Sequence, residues 1–209
     1  AITWGTKNLR NAIVAKVKRE YGVTFDPETN LTVCCGATEG MIASLMATVN
    51  PGEEVIVFEP FYENYGPDAI LCGATPRFVS LHAPDFSFRR EELAAAFNEK
   101  TRAIVINSPN NPTGRVFTRE DLEFIAELCQ KYDVLAITDE IYEHILYDGA
   151  EYIPLWTLPG MAERTIAVNS VSKTFSMTGW RIGFMLASAA LTASIRKVHD
   201  FLTVGAAAP

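Results

Sequence analysis

Residues 102–114 read Arg-Ala-Ile-Val-Ile-Asn-Ser-Pro-Asn-Asn-Pro-Thr-Gly, an apolar run that breaks into a loop stiffened by two prolines. A strand with one wet face alternates apolar and polar residues. One without that alternation is buried on both faces, as in a mostly parallel sheet covered by helices. The same reading extends outward along the chain. Segments 31–35, 54–58, 76–81, 134–138, 165–169 and 181–187 read as further strands. Helical patterns fall at 8–21, from the 36–40 turn to residue 49, and at 61–71, 89–98, 118–131 and 191–202. Leu9, Ile13, Val17 and Tyr21 recur every four residues with Gly22 as a stop, and Thr118 with Asp121 forms a capping box that uses Asp in place of Glu or Gln. The expected fold is one α/β domain, a three-layer α/β/α arrangement around a mostly parallel, mixed sheet.

Composition excludes several classes. The 209 residues include 18 basic and 25 acidic side chains, a net charge of −7, with 48% hydrophobic and 21% charged residues. That is an ordinary globular mix, and disorder is not expected. With no dense Lys or Arg run, neither a nucleic-acid partner nor a membrane surface is expected. The charge-free stretch 182–195 falls short of the roughly 20 apolar residues that span a bilayer. Cys34, Cys35, Cys72 and Cys129 form no metal-ligand pattern, and His82, His144 and His199 stand far apart without matched partners. No metal site is expected, and a cytoplasmic, reducing compartment fits best.

Chemistry-bearing residues follow the strands, where open α/β sheets bind ligands. Gly36-Ala37-Thr38 opens a helix, so its N–H groups and the Thr38 hydroxyl can hold an anion, although an ordinary tight turn is equally consistent with the residues. The asparagines of 107–114 offer amides from a rigid frame. Asp139 follows a buried strand, where a carboxylate needs a partner: a cationic ring nitrogen, a basic side chain or a cap. Residues 170–183 read Ser-Val-Ser-Lys-Thr-Phe-Ser-Met-Thr-Gly-Trp-Arg-Ile-Gly. There Lys173 precedes an apolar Phe–Met–Trp stretch expected to desolvate it and favour the free amine, and Arg181 offers a fork suited to phosphate.

Three of these motifs occur in order: Asn-Pro-Thr-Gly at 111–114, Asp-Glu-Ile-Tyr at 139–142, and the 170–183 segment. Together the chain resembles the class I/II pyridoxal-phosphate aminotransferases, of the aspartate aminotransferase fold (fold type I), nearest the kynurenine and glutamine transaminase branch. The resemblance implies pyridoxal 5'-phosphate as cofactor, with Lys173 forming the Schiff base. Asp139 would pair with the ring nitrogen, Asn111 and Tyr142 would bind the ring hydroxylate, and Tyr62 would stack on the ring. Ala37, Thr38, Ser170 and Arg181 would hold the phosphate. It further implies amino-acid and 2-oxo-acid substrates, ping-pong kinetics, and a homodimer with the site near the subunit interface.

Members of that family are longer. Residues 1–209 are therefore expected to be the cofactor-binding large domain, cut at both ends and lacking the arginine that grips the substrate carboxylate. Such a piece is expected to show at most trace activity alone. A β-lyase on the same fold, a ligand-sensing domain of a transcription regulator and an inactive dimerising fragment stand as alternatives. Tyr65 reads as helix surface, Trp180 as packing, Cys34 and Cys35 as core, and His144 as structural.

Overall fold

The computed structural model describes residues 2–205; the first and last residues of the expected 1–209 domain lie outside them. The elements run α1 (Lys7–Tyr21), β1 (Leu31–Cys34), α2 (Gly36–Thr48), β2 (Glu54–Glu59), α3 (Tyr65–Leu71), β3 (Thr75–His82), β4 (Ser87–Phe88) and α4 (Arg90–Ala96). There follow β5 (Thr101–Asn107), α5 (Arg119–Tyr132), β6 (Leu135–Asp139), β7 (Thr165–Ser170), β8 (Gly183–Leu186) and α6 (Ala189–Leu202). The strands form one eight-stranded sheet in the order β1-β8-β7-β6-β5-β2-β3-β4. Strands β3, β2, β5, β6 and β7 are parallel, whereas β8 runs against both β7 and β1, and β4 against β3. The fold is α/β with a mostly parallel mixed sheet, as the apolar runs require.

Both faces are buried. On β2 and β5, Ile56, Phe58, Ile104 and Ile106 pack beneath α4 and α5, alongside Leu93, Leu122 and Ile125. Their alternate neighbours Val55, Val57, Ala103 and Val105 pack against α2, α3 and α6, with Met41, Leu45, Ala69 and Ile195. Ile13 and Val17 of α1 close the far end over Leu31, Val33, Phe184 and Leu186. Among the described residues no helix is long and apolar enough to cross a membrane.

Local signals set the helix ends. Thr118 Oγ1 accepts from the Asp121 N–H at 3.2 Å, and Asp121 Oδ2 accepts from the Thr118 N–H at 3.0 Å, closing the capping box. Two of the boundaries that differ from expectation have a local cause. The helix expected over 61–71 starts only at Tyr65, because Phe61 leaves the strand end to stack on Phe78, with centroids 5.3 Å apart. The strand expected from residue 181 starts at Gly183, because Arg181 takes a left-handed conformation (φ 51°, ψ 49°) that no extended strand accommodates.

Candidate active site

The carboxyl ends of β2, β5, β6 and β7 share one edge, and β1, reached through two antiparallel steps, points the same way as β7. A cavity of about 300 Å³ opens there. Ala37, Thr38, Tyr62, Asp139, Tyr142, Ser170, Lys173 and Arg181 line it, eight of the nine residues expected from sequence. Asn111 stands behind Tyr142 rather than on the wall; its N–H donates to Asn107 Oδ1 at 2.6 Å, which pins the loop to the end of β5.

One side of the cavity is built for an anion. Ala37 and Thr38 occupy the first turn of α2, whose N–H groups have no intrahelical acceptor. Gly36 has φ +76°, and a Cβ there would overlap the Arg181 guanidinium, which lies flat against it. Gly183 is likewise obligatory, since a Cβ would strike the Gly36 and Ala37 backbone. Arg181 Nη1 donates to the Thr178 carbonyl at 3.0 Å, leaving the rest of its fork available.

The same cavity also carries a buried acid. Asp139 is 4% exposed, and no basic side chain pairs with it among the described residues. Its Oδ2 accepts from the Tyr65 hydroxyl at 2.6 Å and its Oδ1 from the Ile141 N–H at 3.3 Å. Burial pushes its pKa up to about 6 against the pull of those two donors. Burial and the neighbouring carboxylate raise Tyr65 well above the ordinary phenol value, so it stays a donor. Tyr142 is also raised, by burial first and then by Asp139 and Tyr62, with the Asn111 amide opposing. Behind Asp139, burial lifts Glu140 to about 8, and Thr138 and the Trp156 indole donate to it.

Lys173 differs from expectation. It is exposed at the cavity mouth, with Nζ 6.0 Å from the Tyr142 ring centroid. Phe175 and Trp180 are 57% and 51% exposed and do not cover it. Trp180 is accordingly not a packing residue.

Sequence reading missed Tyr65, which is 2% exposed. Its i, i+4 relation to the buried Ala69 was the available signal for an inward face. Met41, Asn64, Ile141, Ser172 and Thr178 also line the cavity unanticipated. All three histidines prove to have acidic partners: His82 with Glu92, His144 with Glu20 and Glu143, His199 with Glu39.

A buried carboxylate, an anion cradle and a lysine lining one strand-end cavity are the layout of an aminotransferase-type α/β protein. The chain belongs to that family: the model of aminotransferase class I and II matches residues 3–209. Among its relatives, the probable N-succinyldiaminopimelate aminotransferase DapC of Mycobacterium tuberculosis is 42% identical over 208 residues, covering 98% of this chain and 52% of the relative. Human kynurenine–oxoglutarate transaminase 1 is 38% identical over 209 residues, covering 95% and 50%. The solved structure of N-succinyldiaminopimelate aminotransferase from M. tuberculosis superposes with a TM-score of 0.94 at 41% identity, over 97% of this chain and 53% of that one. The chain thus spans about half the length of the curated relatives it matches.

Proposed function

We propose that this chain carries the pyridoxal-phosphate site of an aminotransferase that moves an amino group between an amino acid and a 2-oxo acid. The observation that carries the reading is Asp139, a buried carboxylate on the cavity wall without a cation of its own among the described residues. A pyridinium N–H suits that carboxylate in charge and in hydrogen bonding, and a phosphate suits the cradle of Ala37, Thr38, Ser170 and Arg181. The residues present therefore suit the cofactor. Bound there, the protonated ring supplies an electron sink for the pair released at the substrate Cα.

The chain's own groups divide the remaining work. Asp139 holds the ring proton, with Tyr65 keeping the carboxylate oriented. Tyr142 would bind the ring hydroxylate with Asn111 behind it, and Tyr62 would cover the ring face. Lys173 Nζ would hold the cofactor through its aldehyde, and as a free amine it would move the proton at the substrate Cα. The relatives' names favour transfer over β-elimination. The reading also takes residues 1–209 as the large domain of a longer, cytoplasmic homodimer, with four free thiols as support for the compartment.

The test is direct. Added pyridoxal phosphate should give a visible absorbance band, and borohydride should lock the cofactor onto Lys173. A Lys173→Ala variant should form no such adduct, and one that did would overturn the assignment. Amino transfer from a panel of amino acids to 2-oxo acids, without ammonia release, separates a transaminase from a lyase.

A further inference from the structure

A chain of hydrogen bonds starts on α1, outside the cavity, and ends on Ser170 in the anion cradle. Glu143 directly follows Tyr142, yet it is 4% exposed and points away from the site. It accepts from Lys16 Nζ at 2.7 Å and from the Tyr21 hydroxyl, both on α1, and from Asn169 Nδ2 at 2.7 Å. Lys16 Nζ also meets Glu20 Oε2 at 2.8 Å, so an ammonium already sits between the two carboxylates where a metal ion would have to bind.

Asn169 is the second link. With its NH2 committed to Glu143, its Oδ1 accepts from the Ser170 N–H at 2.7 Å. Ser170 Oγ then accepts from the Ser172 N–H at 3.1 Å, which shapes the turn leading to Lys173. An amide has a donor end and an acceptor end. Flipping Asn169 would set its oxygen against the Glu143 carboxylate and its NH2 against the Ser170 N–H. Glu143 therefore selects the one amide orientation that supports the Ser170 backbone.

We infer that Glu143 is a positioning residue for the anion cradle, acting through Asn169 on Ser170 and anchored by Lys16 and Tyr21. The inference rests on the cofactor reading above and deepens it. Loss of Glu143 weakens the hold on the phosphate group specifically and leaves the binding of the ring unchanged.

The experiment measures Kd for pyridoxal phosphate and for phosphate-free pyridoxal on the purified protein, with thermal unfolding alongside. Glu143→Ala should weaken pyridoxal phosphate about tenfold, the size of one buried charged hydrogen bond, with pyridoxal changed less than about twofold. Glu143→Gln keeps an oxygen for Asn169 and should stay within about threefold of the parent. Asn169→Ala should reproduce Glu143→Ala, and the double variant should be no weaker than either single one. Equal losses for the two ligands, or additive losses in the double variant, would overturn the inference. Asn169→Ala leaves Glu143 paired to α1, so it carries the test should Glu143→Ala not fold. A parent protein that bound neither ligand would instead overturn the cofactor reading.

Discussion

The Tyr65 hydroxyl donates to Asp139 Oδ2 at 2.6 Å inside the protein, and it is the strongest support the carboxylate has. A carboxylate buried without a cation depends on such donors, and removing one costs about 1–3 kcal/mol. The pair therefore tunes whether Asp139 is ionised near neutrality.

Tyr65→Phe should raise the Asp139 pKa further above its present value of about 6. A neutral carboxyl no longer attracts a cationic ring nitrogen. Cofactor affinity should therefore fall about tenfold near pH 6 and recover as pH rises and the acid ionises. Kd measured across pH checks this; identical profiles for parent and variant would contradict it.

Asp139→Asn should stabilise the cofactor-free protein while abolishing tight binding. Burial lifts Asp139 from 3.8 to about 6, so the folded state holds that proton more tightly than the unfolded one. Stability is then lost as pH rises from about 4 to about 6, by an amount on the order of 3 kcal/mol. Above that window the variant should melt about 6–12 °C higher than the parent, and near pH 4 the two should coincide. Melting curves at the two extremes decide it.

His199 provides a second pH signature. Its Nδ1 faces Glu39 Oε1 at 2.6 Å and its Nε2 the Thr3 carbonyl at 3.2 Å, so both ring nitrogens act as donors and the buried ring is an imidazolium. Glu39 raises the His199 pKa against the opposing effect of burial, and His199 in turn lowers that of Glu39. The His199 contribution is complete below 6.5 and is lost as pH rises through its higher folded pKa. The Glu39 contribution is present above 4.5 and is lost as pH falls through its lower folded pKa. Urea unfolding of His199→Gln should show its largest deficit between those values and a smaller one near pH 9. A pH-independent deficit would mean a neutral imidazole.

Gly36→Ala should injure the anion cradle twice. The left-handed backbone costs an alanine about 1–2 kcal/mol, and the new methyl displaces the Arg181 guanidinium. Pyridoxal phosphate affinity should drop more than pyridoxal affinity, as read by titration. Equal losses would mean that Arg181 had moved without consequence for the phosphate.

What could be read along the chain was the part whose physics is local. The Thr118–Asp121 capping box spans four residues, and the uninterrupted Ile and Val of β5 state by themselves that both faces are covered. Strand direction was not legible in the same way. A buried run such as Phe184-Met185-Leu186 has the same apolar character whether it lies parallel or antiparallel, so the reversal of β8 between β7 and β1 left no mark in the sequence.

Sequence alone determined the α/β class, the motifs at the strand ends and eight of the thirteen residues that line the cavity. Those residues were legible because each lies within a few positions of a strand end, and strand ends converge in any such sheet. Only the tertiary structure decided the partners that hold them. Tyr65 reaches Asp139 across 74 residues, Tyr21 reaches Glu143 across 122, and His199 reaches Glu39 across 160. A polar side chain carries in its own chemistry the need for a partner. Which partner satisfies it depends on helix rotation and strand order, and those are set by the packing of the whole core.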